Sequence, residues 1–203
     1  MSRYADFYRN SLSDRDTFWA QQAQWVDWHR KPQQICDYSN PPFARWFVGG
    51  EINLCHNAVD RHLPQRADQA ALIAGSTETD TEKVYSFAQL HREVQCMAAT
   101  FKSLGVKKGD RVLIYMPMVA EATFAMLACV RIGAIHSVVF GGFASGSLAS
   151  RIEDAAPVLV VSADAGSRGG KAVAYKPLLD EAIRLSKHKP EAVLLVDRGL
   201  APM

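Results

Sequence analysis

Neither a complete phosphate loop nor a metal or nucleophile signature occurs in this chain of 203 residues. Arg168-Gly169-Gly170-Lys171 comes nearest to a Walker A loop. That loop needs glycine five residues before Gly170 and Ser or Thr after the lysine, but positions 165 and 172 are both alanine. A P-loop NTPase is thereby excluded. No HExxH or GxSxG sequence is present, and no serine–histidine–acid set can be read from spacing. Cys36, Cys55, Cys96 and Cys129 lie far apart and form no CxxC pair. This argues against a disulfide framework or a zinc site and for reduced thiols in a cytoplasm. The formal net charge of +2 is too small to mark a nucleic-acid surface. The longest apolar stretch, residues 116–130, is broken by Pro117, Glu121 and Thr123 and is too short to span a bilayer. Residues 1–16 carry Asp6, Asp14 and Asp16 and no apolar run, unlike a signal or transit peptide. There is no internal repeat and no low-complexity tract.

What remains is ordinary globular material, with 48% hydrophobic and 22% charged residues, enough for one domain or one domain with an appendage. The appendage comes first. Ser13-x-x-Asp16 reads as a capping box with Asp in place of Glu or Gln. It would open a helix carrying Phe18, Trp19, Trp25 and Trp28. Helical spacing puts Phe18, Trp25 and Trp28 on one face, and docking on a larger body explains them better than an aromatic ligand cage. Residues 29–52 hold Pro32, Pro41, Pro42, Gly49 and Gly50 and read as an irregular wrapping segment. A helix is expected from an N-cap at Asn53 to about residue 64.

Strands at 70–74 and 83–86, joined through the polar turn 76–80, predict a hairpin or a pair of edge strands. Ser86 is placed to cap the next helix, whose Leu90, Val94, Met97, Ala98 and Phe101 keep helical spacing. Gly105 supplies its stop. The period changes at Arg111. Apolar strands at 112–116, 135–140, 158–162 and 193–196 alternate with helices at 119–132, 145–155 and 176–187. Arg131 and Gly133 close the first of these helices. The alternation predicts an α/β fold, a parallel sheet covered on both faces with right-handed crossovers. An end at Met203, just past a strand, reads as a truncation.

Two glycine-rich turns follow strands of this sheet: Phe140-Gly141-Gly142-Phe143 and Ser167-Arg168-Gly169-Gly170-Lys171. Loops at the carboxyl ends of parallel strands are where open α/β sheets bind ligands. Glycine admits close approach of phosphate to backbone N–H groups, and Arg168 and Lys171 add charge. The following helix, capped by Ser145 or Ser147, would add its positive dipole end. Two glycines that merely make a tight turn fit the first sequence equally well, and a solvated basic loop would fit the second if it stood alone. His56 and Asp60, four apart, read as a surface pair. His136, inside an apolar strand, reads as a satisfied core histidine.

Taken with Ser39-Asn40-Pro41-Pro42-Phe43-Ala44-Arg45-Trp46-Phe47, Asn53-Leu54-Cys55-His56-Asn57-Ala58, Tyr115-Met116-Pro117-Met118 and Gly133-Ala134-Ile135-His136-Ser137-Val138-Val139, these turns resemble one family. It is the AMP-forming short-chain acyl-CoA synthetases, adenylate-forming enzymes, over almost the whole chain. The first stretch is similar to propionate-using members more than to acetate-using ones. The resemblance implies an N-terminal segment over residues 1–60 and the beginning of an AMP-binding domain over 61–203. It implies a ligase that takes propionate, ATP with Mg, and CoA to propionyl-CoA, AMP and pyrophosphate through an acyl-adenylate. In the family, the positions of Phe140, Gly141, Gly142 and Arg168 lie against CoA. Lys171 falls where acetate enzymes often carry a second arginine. The ATP loop, the acyl pocket and the adenylation lysine of the family are not among these residues, so this chain alone is expected to form no adenylate. Acetate as the substrate, and a non-catalytic module binding CoA or a partner, remain as alternatives.

Overall fold

The computed structural model describes residues 3–76, 80–168 and 171–202, the Arg168 side chain excepted. They fall into two compact units, divided between residues 53 and 54.

In the first unit, helices α1 (Arg3–Ser13) and α2 (Arg15–Gln22) are separated by Asp14 alone. The expected capping box does not form. Ser13 is the last residue of α1, and its hydroxyl donates to the Arg9 carbonyl at 3.1 Å. Asp14 takes the N-cap position of α2 without a side-chain hydrogen bond. Nor do Phe18, Trp25 and Trp28 share a face, because α2 stops at Gln22 and a 3-10 turn, Ala23–Trp25, follows. Trp25 is 78% exposed. Trp28 turns back, its indole N–H donating to the Ala23 carbonyl at 2.8 Å. Helical spacing holds a face together only while the helix continues, and the carbonyls left at its end attract the indole donor. Phe18 is buried between Phe7 and Trp19. The expected irregular segment is in fact a β-hairpin, β1 (Gln34–Asn40) and β2 (Phe43–Val48), antiparallel with Gln34 opposite Val48. Its prolines, Pro41 and Pro42, sit in the turn, where no ladder N–H is required.

The second unit begins with α3 (Leu54–Ala58), a 3-10 turn Asp60–His62, and α4 (Leu63–Arg66). The single helix expected over 53–64 is thus broken. Strands β3 (Ala70–Ser76) and β4 (Thr81–Ser86) pair antiparallel as a hairpin; residues 77–79 of its turn lie outside the described residues. Ser86 caps α5 (Phe87–Ser103) in a reciprocal box. Its hydroxyl accepts from the Gln89 backbone N–H at 3.3 Å, and the Gln89 side chain accepts from the Ser86 N–H at 2.9 Å. Ser86→Ala is expected to destabilise the unit by about 1 kcal/mol, read as a shift in urea midpoint with unchanged slope.

Strands β5 (Arg111–Met116), β6 (Ile135–Phe140), β7 (Leu159–Ala163) and β10 (Ala192–Val196) form one parallel sheet in the order β10-β7-β5-β6. Between β7 and β10 the chain makes a ribbon, β8 (Ala165–Arg168) and β9 (Lys171–Ala174). Helix α6 (Ala120–Ile132) joins α5 on one face of the sheet. Helices α7 (Ser145–Ala155) and α8 (Tyr175–Leu185) cover the other. Alternate residues of β5 supply the two cores: Val112, Ile114 and Met116 under α5 and α6, Leu113 and Tyr115 under α7 and α8. Apart from Arg111 at the start of β5, the central strands are buried at every position, as a doubly covered parallel strand must be. Coverage fails at the edge strand β6, where Ile135, Val138 and Phe140 are exposed.

Gly133 ends α6 with φ +76°, a left-handed stop that favours glycine. Arg131 does more than complement the helix end. Its guanidinium donates to both carboxylate oxygens of Asp60 at 2.9 Å, and His91 lies 3.0 Å from the same carboxylate. Asp60 thus has partners on α6 and α5, which the spacing of the chain did not indicate.

Candidate functional site

The sheet order makes the boundary between β5 and β7 the point where successive connections run in opposite directions, and ligands of open α/β sheets sit outside the carboxyl ends of strands there. A cavity of about 710 Å³ opens at that place. Pro117 after β5, Phe140 and the Gly141-Gly142 turn after β6, Ser167 on β8, Tyr175 at the start of α8, and Arg198 after β10 contribute to its wall. Among the described lining residues Arg198 carries the formal charge, so the cavity is an apolar groove with one cationic rim.

The glycines are needed for a reason the sequence did not reveal. Neither Gly141 nor Gly166 has a positive φ. A Cβ on Gly141 would overlap the Tyr175 hydroxyl oxygen and stand 2.9 Å from its Cζ. A Cβ on Gly166 would meet the same hydroxyl at 2.7 Å. Two backbones thus close on one phenol, and only glycine leaves room for it. Tyr175 in turn stacks on Tyr115, centroids 4.8 Å apart and planes at 24°. The Tyr115 hydroxyl donates to the Phe143 carbonyl at 3.2 Å and lies 3.4 Å from that of Gly141. Burial pushes the Tyr115 phenol up to about 12, which keeps it a neutral donor at physiological pH. The N-cap of α7 is Ala144 rather than Ser145 or Ser147.

The second glycine-rich turn is not a free loop. Its flanks pair as the antiparallel ribbon β8–β9, with Arg168 opposite Lys171 in register. Gly169 and Gly170 lie outside the described residues. Lys171 is exposed and does not line the cavity. The structure therefore brings Phe140, Gly141 and Gly142 to one groove, with Ser167, the chain neighbour of Arg168, on its wall.

Asp164 and Arg198 escaped sequence reasoning. Asp164 is fully buried directly after β7. Its carboxylate accepts backbone N–H bonds from Ala165 at 2.7 Å, Leu200 at 2.6 Å and Ala201 at 3.1 Å. Burial raises its pKa, but those backbone N–H bonds outweigh burial and hold it below the ordinary carboxylate value. The anchored segment carries Arg198, whose guanidinium donates to the Ala165 carbonyl at 2.8 Å. An acidic residue ending an apolar strand was the available signal. His136 is not the satisfied core histidine expected: its Nδ1 is buried without a partner among the described residues, and burial lowers its pKa.

The parallel sheet with helices on both faces and a groove at its strand ends defines a doubly wound α/β fold, and comparison with known proteins gives the family. Residues 59–202 match the model of the AMP-binding enzyme family, and residues 4–58 match the acetyl-coenzyme A synthetase N-terminus. The chain belongs to the AMP-binding enzyme family. It is 59% identical over 200 residues to a propionate–CoA ligase of Escherichia coli strain K12, covering 98% of this chain and 32% of that protein. An acetyl-coenzyme A synthetase of Streptomyces coelicolor is 48% identical over 179 residues, covering 88% of this chain and 28% of the relative. The solved acetoacetyl-CoA synthetase from Streptomyces lividans superposes with a TM-score of 0.87 at 26% identity, over 100% of this chain and 33% of that one. The chain spans about a third of the length of the curated relatives it matches.

Proposed function

We propose that this chain is the CoA-contacting part of an AMP-forming acyl-CoA synthetase that acts on propionate. The observation that carries the substrate is the 59% identity with a propionate–CoA ligase over 98% of the chain. In the reaction a carboxylate oxygen attacks the α-phosphorus of ATP and pyrophosphate leaves. The CoA sulfur then attacks the acyl carbon, and AMP leaves with the carboxylate oxygen. The residues here serve the second step. The Phe140–Gly142 turn and Arg168 hold CoA, with Lys171 as a supplementary charge on the ribbon. An apolar groove of about 710 Å³ with Arg198 at its rim suits a ligand that is part hydrocarbon and part phosphate. Mg accompanies ATP in such chemistry. Among the described residues no three His, Cys, Asp or Glu side chains come together, so these residues build no cage for it and no step here runs through it. No helix among the described residues is long and apolar enough to cross a membrane.

Two measurements test this reading. Arg168→Ala is expected to weaken CoA binding about tenfold by calorimetry, the loss of one charge-assisted contact; equal affinity would remove Arg168 from the site. The protein at its natural length should form AMP faster with propionate than with acetate at equal concentration. A preference for acetate would favour the second reading, which the 48% identity to an acetyl-coenzyme A synthetase keeps in play. The 203-residue polypeptide by itself is expected to show no propionate-dependent ATP–pyrophosphate exchange.

A further inference from the structure

We infer that Tyr175 is a positioning residue for CoA: its phenol joins the Gly141 turn to the Gly166 ribbon and sets the two halves of the site at a fixed separation. The inference rests on the reading of that turn and ribbon as the CoA contact. Four observations carry it. Tyr175 is 6% exposed although it stands on the cavity wall. Its hydroxyl occupies the space that a Cβ would need at both Gly141 and Gly166, and such a Cβ at Gly166 would also stand 3.1 Å from the Pro117 Cβ. Its ring lies on Tyr115, whose hydroxyl holds the Phe143 carbonyl at the far end of the same turn. Its backbone N–H donates to the Asp164 carbonyl at 2.8 Å, which ties the start of α8 to the end of β7.

Gly141 follows β6 and Gly166 lies on β8, with a helix and a strand between them in the chain, yet they meet on one side chain. Packed interiors shift as units and do not deform smoothly. A shorter side chain at 175 would let the turn and the ribbon settle independently. Ligand contacts made by both would then lose their common geometry, and a misplacement of about 1 Å is enough to cost a large factor in such sites.

The test uses the protein at its natural length and CoA itself as the probe. Tyr175→Leu is expected to bind CoA about tenfold more weakly and to raise the KM for CoA by a similar factor, while the KM for ATP stays within about twofold, because loss of one positioning contact is a local effect. Gly141→Ala should weaken CoA binding in the wild-type background and cost less in the Tyr175→Leu background, where the overlap is gone. If Tyr175→Leu does not fold, Tyr175→Phe serves, since it keeps the ring on Tyr115 and removes the oxygen nearest Gly141. CoA affinity unchanged in the position 175 variants, KM values for CoA and ATP rising together, or an equal cost of Gly141→Ala in both backgrounds would overturn the inference and leave the CoA reading standing. Wild-type protein that fails to bind CoA would overturn that reading, and the inference with it.

Discussion

Asp164→Ala is expected to lower the stability of the second unit by about 3 kcal/mol at neutral pH, since hydrogen bonds to a charged group contribute roughly 1.5–3 kcal/mol each and buried donors left unpaired add their own cost. Three backbone N–H groups, on Ala165, Leu200 and Ala201, lose their acceptor at once. Solvent reaching the freed N–H groups of Leu200 and Ala201 offsets part of that loss. The pH dependence has a definite sign. The folded-state pKa of Asp164 lies below its ordinary value of 3.8. A depressed carboxylate contributes stability that is present above the unfolded value and lost as pH falls through the folded one. The difference between wild type and variant should therefore be full at pH 7 and shrink as the pH drops below 3.8. Urea titrations at both pH values measure it. A difference independent of pH would mean that packing at position 164, and not the ionised carboxylate, is responsible. The variant should also weaken whatever Arg198 contributes to the groove, because the segment that carries Arg198 is anchored by this carboxylate.

Arg131→Ala is expected to cost about 2 kcal/mol. Breaking a fully buried ion pair costs roughly 3–5 kcal/mol, while an exposed pair contributes about 0–1. The side chains of Arg131 and Asp60 are 25% and 22% exposed, which places this pair between those limits. Arg131 also lies 3.4 Å from the Cys55 sulfur and from His91 Nε2, so one guanidinium ties α6 to α3 and to α5. Arg131→Lys should recover only part of the loss, since one ammonium can take the place of Nη1 at both Asp60 oxygens but cannot at the same time take that of Nη2 beside His91. A double-mutant cycle with Asp60→Ala is the decisive measurement. The double variant should be more stable than the sum of the single losses predicts, by at least about 1 kcal/mol. Strict additivity would show that the two groups do not depend on each other.

Much of the second unit was readable from pattern alone. Residues 145–155 and 112–116 form the helix and strand their periodicity implies, because a strand covered on both faces must be apolar at every position and a helix on one face only at every third or fourth. Ser86 caps its helix as its position before the apolar spacing indicates. Capping, glycine stops and period are local properties, set within a few residues. The groove at the strand ends is likewise a consequence of α/β alternation, which is why the Phe140–Gly142 turn could be singled out.

Tertiary structure decided what depends on distant partners. The hairpin over residues 34–48 is held by pairing between strands, such as Asp37 opposite Arg45, and its proline-rich turn masked it. Trp25 and Trp28 left their helical face once the helix ended and the Trp28 indole found the Ala23 carbonyl. Asp60 meets an arginine 71 residues away, a partner that spacing along the chain does not indicate. Gly141 is glycine because of Tyr175, and no local rule connects the two. Periodicity and turn chemistry are written along the chain, whereas close approach and hydrogen-bond satisfaction arise only when remote segments compete for the same space.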